Sequence, residues 1–249
     1  MPWKCTAASV VGNSHRASGK PNQDAARVCY FDAPEGRAVV FALSDGAGSS
    51  TYSQEASARV VGTLLRLVLE WNRSLAAVDF DTARRWFEIA GTHLRSVLTA
   101  ECQCDPAELY CTAILGVFWP GGGFCVQIGD GAVGVKTDAG WSLATVPSVG
   151  KYAGETYFLT SPNAVSEHFQ FVRYDIPVRA VVGFTDGLQP VLLNPGFQIH
   201  PPVLEFLLQP VASASDPSGL TPQLEAFLNL PELVEKTDDD KSIVLLVSA

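Results

Sequence analysis

Hydrophobic and polar positions follow two different periods along this chain. The first part contains short, strand-like runs rich in β-formers at residues 6–11, 27–31 and 37–43. The third run is continuously apolar, which is typical of a strand covered on both faces. The pattern therefore predicts a group of strands before the first long helix.

Two long amphipathic helices are predicted after these strands. Over residues 52–71, apolar side chains recur at helical spacing, and Thr51 with Gln54 forms a candidate capping box. A second helical pattern, over residues 83–98, places its apolar side chains on one face. We expect both helices to cover the face of a sheet.

A second group of strands is predicted in the middle of the chain. Four apolar runs between residues 109 and 146 are separated by PGGG, GDG and DAG, which are hairpin signals, so we expect an antiparallel meander. Strands resume at residues 169–176 and 179–184, helical pieces follow at 202–208 and 223–228, and the acidic run DDDK leads into a last strand.

These elements predict an α+β fold, arranged as a layered sandwich. Strands on both sides of the helix pair require long-range pairing, and the helices must cover the sheets. The 249 residues are 47% apolar and 17% charged, and no linker divides them, so we expect one domain over residues 1–249. Residues 148–169 form a longer loop of the kind that often carries function.

Charge and cysteine content limit the possible partners. The net charge is −9 and there is no basic run, which argues against nucleic acid as a partner. No stretch has the roughly 20 apolar residues of a membrane span, and the first residues lack the apolar core of a signal peptide. We therefore expect a cytoplasmic protein with no membrane partner. The spacing of its six cysteines favours reduced thiols over zinc ligands.

Aspartate followed by glycine closes three strand-like runs. Asp-Gly is first of all a turn signal, and this interpretation suits the second pair well because a strand follows at once. It suits the other two pairs less well. A run of three adjacent aspartates before the last strand adds a fourth acidic strand end, where mutual repulsion favours compensation by cations. These positions are Asp45–Gly46, Asp130–Gly131, Asp186–Gly187 and residues 238–240.

Four acidic strand ends can converge at one edge of a sandwich and bind divalent cations. Mg²⁺ and Mn²⁺ prefer carboxylates, backbone carbonyls and water. Glycine after aspartate lets an ion approach the backbone closely. With two ions about 4 Å apart, a bridging water becomes a nucleophile suited to in-line attack on phosphorus. The sequence therefore indicates a candidate two-metal centre suited to this chemistry.

An ordered set of segments resembles the metal-dependent PPM or PP2C-type serine/threonine protein phosphatases, in particular their divergent bacterial branch. The segments lie between residues 12 and 247 and are GNSHRASGKPNQDA, FALSDGAGSS, YCTAILGVF, VQIGDGAVGV, GETYFLT, GFTDGL and DDDKSIVLLV. The resemblance implies an αββα sandwich of two antiparallel β-sheets flanked by helices. It also implies hydrolysis of phosphoserine or phosphothreonine in a phosphorylated protein substrate, by direct attack of a metal-bridging water.

The resemblance also implies a set of metal ligands for Mn²⁺ or Mg²⁺. Asp45 would bridge two ions, and the carbonyl of Gly46 would bind one of them. Asp186 and Asp239 would bind the other ion. Asp130 matches an aspartate that helps to hold a third, weaker ion in bacterial members.

The first motif of the family is altered in this chain. Asp24 matches the aspartate that orients metal-bound water in the family. The resemblance therefore implies that Asp24 and Asp45 are the catalytic residues. Gln23 stands where many relatives have glutamate, so a neutral amide replaces one carboxylate. Affinity for the second metal ion is expected to fall. Residues 148–169 occupy the place of the variable flap of the family, which would influence the choice of substrate.

The group that binds substrate phosphate also differs. Many relatives place an arginine where this chain has Gly19, so His15, Arg16 or Lys20 must bind the phosphate if any residue does. A histidine that eukaryotic relatives carry shortly after the bridging aspartate is replaced here by residues 47–49, AGS. Water or His15 could serve as the acid for the leaving group instead.

Two other functions stay open at this point. Gln23 favours a pseudophosphatase that keeps the sandwich and a partial metal site but acts as a binding or signalling module. Against it, a fold without chemistry does not need Asp45, Asp186 and Asp239, whose unpaired burial would destabilise it. A small-molecule phosphoesterase would use the same metal chemistry. A monomer is the default expectation for the free-standing domain.

Overall fold

The computed structural model describes residues 3–148 and 156–248. The β-strands in these ranges are β1 Trp3–Val10, β2 Ala25–Ala33, β3 Gly36–Ser44, β4 Ala113–Trp119, β5 Gly122–Ile128, β6 Ala132–Thr137, β7 Gly140–Thr145, β8 Gln170–Tyr174, β9 Ala180–Phe184, β10 Leu193–Asn194, β11 Gln198–Ile199 and β12 Lys241–Ser248.

The α-helices of the same ranges are α1 Asn13–Ser18, α2 Ser53–Leu69, α3 Phe80–His93, α4 Thr99–Cys102, α5 Ala164–Glu167, α6 Gln189–Leu192, α7 Pro201–Ser213, α8 Thr221–Leu228 and α9 Pro231–Val234. A π-helical turn, Leu94–Leu98, joins α3 to α4. Short 3₁₀ turns lie at Leu75–Ala77, Pro106–Leu109, Asp186–Leu188 and Pro217–Leu220.

Ten of these strands form two antiparallel sheets. The first sheet has the order β1-β12-β9-β6-β7, and the second has the order β2-β3-β4-β5-β8. Strand β12 pairs with β1 on one side and with β9 on the other, so the strand that comes last in the chain lies inside its sheet. Strand β3 pairs with β4 across the two long helices, so the predicted long-range pairing of strands on either side of the helix pair is confirmed.

The sheets pack face to face and helices cover their outer faces. Fully buried side chains of β3, β4, β9 and β12 fill the space between the sheets, with Phe41 near its centre. Helices α2 and α3 pack on the outer face of the second sheet, while α7 and α8 pack on the first. Each sheet therefore buries both faces, which explains the continuous apolar runs. The predicted αββα sandwich is confirmed.

The prediction of a continuous meander is wrong at its middle connection. Strands β4 and β5 pair, and β6 and β7 pair, but the GDG segment between them crosses from one sheet to the other. The Gln127 side chain directs this crossover, because its Nε2 donates hydrogen bonds to the carbonyls of Gly129, at 3.0 Å, and Gly131, at 2.6 Å. Gly129 has φ +118°, which favours glycine.

The two predicted long helices are present, but the capping box is wrong. Helix α2 begins after Tyr52, which makes no side-chain capping bond. The backbone N–H of Thr51 instead donates to the Glu108 carboxylate at 2.8 Å, so a residue distant in sequence takes the place of Gln54. In the loop predicted at 148–169, residues 149–155 lie outside the described ranges, and the described part contains α5.

Candidate metal centre

Four predicted metal-ligand aspartates come from four separate segments and meet at one edge of the sandwich. Asp45 directly follows β3, and Asp130 lies in the crossover between β5 and β6. Asp186 follows β9, and Asp239 precedes β12. One carboxylate oxygen each of Asp45, Asp130 and Asp186 lies within 4.8 Å of the others. The structure thus brings together residues up to 141 positions apart along the chain.

Burial and mutual repulsion raise the pKa values of these carboxyl groups. Burial is the largest cause at Asp45, where Asp186 is the second and raises the pKa further. Burial, followed by Asp186, raises the pKa of Asp130 to about 7. Burial, followed by Asp239, raises the pKa of Asp186 to about 6. The centre therefore carries more negative charge than its surroundings compensate.

The glycines that follow the aspartates are explained by close backbone packing. A Cβ atom on Gly187 would lie 2.0 Å from the carbonyl oxygen of Asp240. A Cβ atom on Gly46 would lie 2.7 Å from the carbonyl oxygen of Gln23. A Cβ atom on Gly131 would lie 2.7 Å from the carbonyl oxygen of Phe184. None of these three glycines has a positive φ. The interpretation of Asp130–Gly131 as a hairpin turn is therefore wrong. Gly131 is needed for its small size, and its segment crosses between the two sheets.

Thr112 holds the backbone of Asp45 from both sides. The N–H of Asp45 donates to the Thr112 hydroxyl at 2.9 Å, and the N–H of Thr112 donates to the Asp45 carbonyl at 2.8 Å. The Ser44 hydroxyl donates to the Thr112 carbonyl at 2.6 Å. These bonds fix the end of β3 on β4 and direct the Asp45 carboxylate towards the cluster.

Asp24 and Gln23 lie beside the cluster with polar atoms left unpaired. The Thr185 hydroxyl donates to Asp24 Oδ2 at 2.8 Å. Within the described part of the chain, Asp24 Oδ1, Gln23 Oε1 and Asp130 Oδ1 are buried without a hydrogen-bond partner. Burial raises the pKa of Asp24, and the charge of Asp186 raises it further. A buried, unpaired oxygen is costly, so these three atoms point to a missing positively charged group.

Asp240 organises the first motif, a function that sequence reasoning missed. Its carboxylate is buried and accepts hydrogen bonds from the backbone N–H groups of Gly12 and Gln23, both at 2.6 Å. His15 Nδ1 lies 2.9 Å from Asp240 Oδ2. The only signal in the sequence is the position of Asp240 in the acidic run, which does not reveal its partners.

Lys241 places a buried positive charge next to this carboxylate. The side chain is 1% exposed, and its Nζ donates to the carbonyl of Asp239 at 3.1 Å. Burial lowers the pKa of Lys241, while the charge of Asp240 opposes that effect. The ammonium thus offsets part of the negative charge beneath the centre.

The three candidate phosphate-binding residues lie in different surroundings. His15 belongs to a second group, in which one of its ring nitrogens and one oxygen each of Asp239 and Asp240 lie within 4.8 Å of one another. Arg16 donates to the Asn229 side chain at 2.9 Å, so its guanidinium is engaged beside α8. Lys20 Nζ donates to the carbonyl of Gly48 at 2.6 Å, in the loop after Asp45.

The donor set fits hard divalent cations. The carboxylates of Asp45, Asp130 and Asp186 converge. Gly46, whose backbone carbonyl is a further candidate ligand, is buried directly after Asp45. Three buried oxygens lack a hydrogen-bond partner among the residues in the described ranges, and the carboxylates repel one another. Oxygen-rich, uncompensated clusters of this kind suit Mg²⁺ and Mn²⁺. The geometry supports the four aspartates as a ligand set, while the role of each residue stays a prediction.

No helix of the described ranges combines the length and apolarity that crossing a membrane would require. All six cysteines are free thiols. Cys111 and Cys125 are fully buried, and burial raises the pKa of the Cys111 thiol to about 12, so these residues serve as small core side chains.

Several solved structures share the fold of this chain. One is described as PppA, a key regulatory component of T6SS in Pseudomonas aeruginosa, with a TM-score of 0.66, 17% identity and coverage of 100% of this chain and 99% of that chain. Another is the serine/threonine phosphatase Stp1 from Staphylococcus aureus, with a TM-score of 0.64, 15% identity and coverage of 100% and 96%.

Sequence comparison identifies the family. The chain is 30% identical over 262 residues to serine/threonine-protein phosphatase 3 of Escherichia coli strain K12, and the match covers 100% of both proteins. The family model described as protein phosphatase 2C matches residues 11–229, which include Asp45, Asp130 and Asp186. The four convergent acidic strand ends lie on the sandwich that the solved phosphatases share. The chain therefore belongs to the protein phosphatase 2C family.

Proposed function

We propose that this protein is a Mn²⁺- or Mg²⁺-dependent phosphatase that hydrolyses phosphoserine and phosphothreonine in protein substrates. The observation that carries the proposal is the convergence of Asp45, Asp130 and Asp186 within 4.8 Å in a chain of this family. Asp239, just before β12, lies near enough for its charge to raise the pKa of Asp186 further. Membership of the family supports the reaction class, and the printed name of the Escherichia coli relative supports phosphorylated serine and threonine as substrates.

The side chains of the centre divide into ligands and groups that position them. Asp45, Asp186, Asp239 and the Gly46 carbonyl would hold two ions, and Asp130 would help to hold a weaker third ion. When bound, such ions neutralise phosphate charge and activate a bridging water for in-line attack on phosphorus. Asp24, oriented by Thr185, would accept a hydrogen bond from the attacking water.

Lys20 is the best-placed cation for the phosphate among the three candidates. Its Nζ already lies against the loop after Asp45, whereas the Arg16 guanidinium contacts Asn229. Lys20 would leave the Gly48 carbonyl and bind a phosphate oxygen at the entrance of the centre. Residues 148–169 would act as the flap that selects the substrate, within one domain that functions as a monomer.

Hydrolysis of a phosphothreonine peptide tests the proposal directly. The purified protein is treated with chelator and then titrated with Mn²⁺ or Mg²⁺. We expect no turnover without metal and restored turnover with it. Asp45→Asn should lower kcat by about 10³-fold or more, because it would remove the ligand proposed for both ions. Asp81→Asn, on the exposed start of α3, is the matched control and should retain full activity.

Activity that Asp45→Asn leaves intact would contradict the proposal. A specific observation, the neutral and unpartnered amide oxygen of Gln23, favours one alternative, a pseudophosphatase that binds phosphoproteins without hydrolysing them. Metal binding without turnover of any phosphopeptide would support that alternative. Turnover of small phosphoesters alone would instead identify a small-molecule phosphoesterase, so the assay includes both classes of substrate.

A further inference from the structure

We propose that His15 is a nitrogen ligand of the metal centre and forms, with Asp239 and Gln23, a binding position of mixed nitrogen and oxygen character. This inference rests on the metal dependence proposed above. It gives His15 a role different from phosphate binding, which is the role expected from the sequence. The evidence comes from the partners of its two ring nitrogens and from the unpaired oxygen beside it.

The first ring nitrogen fixes the orientation and tautomer of His15. Nδ1 lies 2.9 Å from Oδ2 of Asp240, a carboxylate that is 2% exposed. Because a carboxylate accepts hydrogen bonds, Nδ1 of His15 donates to Asp240, which leaves Nε2 as the ring nitrogen available to an ion. A carboxylate that holds one nitrogen of a histidine while the other binds metal is a common arrangement in metalloproteins.

Asp240 already accepts three hydrogen bonds. Its Oδ1 accepts from the N–H of Gly12, and its Oδ2 accepts from the N–H of Gln23 in addition to His15. A metal ion bound to this carboxylate would compete with hydrogen bonds that fix the first motif. Asp240 therefore acts as a positioning residue, and the less engaged carboxylate beside His15 is that of Asp239, whose Oδ1 accepts from the Asp240 N–H at 2.8 Å.

The second ring nitrogen faces the same space as an unpaired oxygen. A Cβ atom on Gly48 would lie 3.7 Å from His15 Nε2 and 3.9 Å from Gln23 Oε1, so both atoms are directed at the volume over this glycine. Gln23 is 5% exposed, and its Oε1 has no hydrogen-bond partner among the residues that the structure describes. An acceptor buried in this way needs a positively polarised partner, which a cation supplies.

The ligand chemistry selects among cations. Imidazole nitrogen binds transition-metal ions more readily than Mg²⁺, which prefers oxygen ligands in strict octahedral geometry. A position that combines the His15 imidazole, the Asp239 carboxylate and the Gln23 amide oxygen therefore favours Mn²⁺ over Mg²⁺. The other side of the centre, with Asp45, Asp130 and Asp186, offers oxygen alone.

Electron spin-echo spectroscopy of bound Mn²⁺ tests this inference without any substrate. A nitrogen ligand produces ¹⁴N modulation, which we expect in the wild-type protein and not in His15→Gln. His93→Gln is the matched control, because His93 lies on α3 next to Arg59, and it should retain the signal. Calorimetric titration should show about tenfold weaker Mn²⁺ binding in His15→Gln. Mg²⁺ affinity should change by less than about threefold, because Mg²⁺ depends on oxygen ligands.

A second variant keeps the test decisive if His15→Gln does not fold. The chain has four histidines, so replacing His93, His168 and His200 together by glutamine leaves His15 alone. A ¹⁴N signal that persists in this triple variant assigns the ligand to His15, and its loss there overturns the inference. Absence of the signal in the wild-type protein has the same consequence.

The outcomes separate this inference from the proposed function. If Mn²⁺ and Mg²⁺ fail to bind the wild-type protein at all, metal dependence itself is wrong. If Mn²⁺ binds with unchanged affinity and no nitrogen signal while His15→Gln raises only KM, then His15 contacts substrate and the metal-ligand role is wrong. Loss of both the signal and the Mn²⁺ preference in His15→Gln supports the assignment.

Discussion

Gly187 shows how little space separates the backbone segments that carry the acidic residues. Its Cα packs against the carbonyl of Asp240, where a Cβ would approach to 2.0 Å, and against the Cβ of Asp239. The segment after β9 and the segment before β12 therefore touch through main-chain atoms. A side chain at this position would force the backbone at Asp240 to shift, and we expect the neighbouring Asp239 to move with it.

Gly187→Ala is expected to reduce both stability and metal affinity. The methyl group forces a backbone shift, and overpacking of this kind costs about 1–3 kcal/mol. Displacement of Asp239 should weaken Mn²⁺ binding by about tenfold or more, as for other changes in ligand position. Urea unfolding and calorimetric titration measure the two effects.

Gly219→Ala is the control for this substitution. No atom lies within 4 Å of a Cβ built at Gly219, so the change should alter unfolding by less than about 0.5 kcal/mol and leave metal affinity unchanged. Equal behaviour of the two alanine variants would show that close backbone contact at Gly187 does not matter.

The sequence predicts some of the functional residues and not others, for a physical reason. Asp45, Asp130 and Asp186 each follow an apolar strand and precede a glycine, so a local pattern identifies them. Asp240 has no such pattern. Its function depends on the N–H groups of Gly12 and Gln23, more than 200 positions earlier, which only the folded chain brings near.

At the scale of elements, Phe41 joins the two sheets. Its ring fills the space over Gly116 on the neighbouring strand β4, where a Cβ would lie 2.2 Å from the ring. The opposite edge of the ring faces Gly183 on β9 of the other sheet, where a Cβ would lie 2.8 Å away. Two glycines thus make room for one aromatic side chain between the sheets.

Phe41→Ala is expected to destabilise the protein by about 3–5 kcal/mol, because it leaves a cavity lined by two glycines. Phe206→Ala should cost far less, since Phe206 is 62% exposed on α7. The free energies of unfolding of both variants are measured by urea titration in the presence of chelator. Equal losses in the two variants would mean that Phe41 does not hold the sheets together.

Element types were easier to predict than their connections. Helices α2 and α3 have a strong apolar period, and the structure places both within a few residues of the predicted bounds. The crossover at residues 129–131 resembles a hairpin in sequence because glycine and aspartate are common to both. Which sheet receives β6 is decided by its pairing with β9, about 50 positions later, and no local pattern contains that information.

Over the whole molecule, the net charge is −9, and several of the aspartates that contribute to it are buried close together. The carboxyl groups of Asp130 and Asp186 are surrounded by other aspartates, and burial raises both pKa values above the ordinary range. In the absence of metal, the folded chain binds protons at these groups more tightly than the unfolded chain does. Stability then depends on pH.

Asp130→Asn should become progressively more stable than the wild-type protein as pH rises from about 4 to about 7 in chelator. A group whose pKa is raised to about 7 on folding stabilises the fold below its ordinary pKa and loses that contribution as pH rises through the raised value. We expect the difference in the free energy of unfolding to grow by about 1–2 kcal/mol over this range.

Urea titrations at several pH values measure this difference. Saturating Mn²⁺ should reverse the order, because an ion that binds only the folded wild-type protein stabilises it by about 2.7 kcal/mol at one hundred times its dissociation constant. A difference between the two proteins that stays constant with pH would show that Asp130 does not carry the raised pKa.

The position of β12 inside its sheet has a consequence for synthesis of the protein. Asp239, a proposed ligand, lies two residues before this strand, and β12 lies between β1 and β9, so its sheet lacks an inner strand until residue 248 has left the ribosome. All earlier segments emerge before this sheet can be completed. We therefore expect the proposed phosphatase activity to appear only when translation has passed β12.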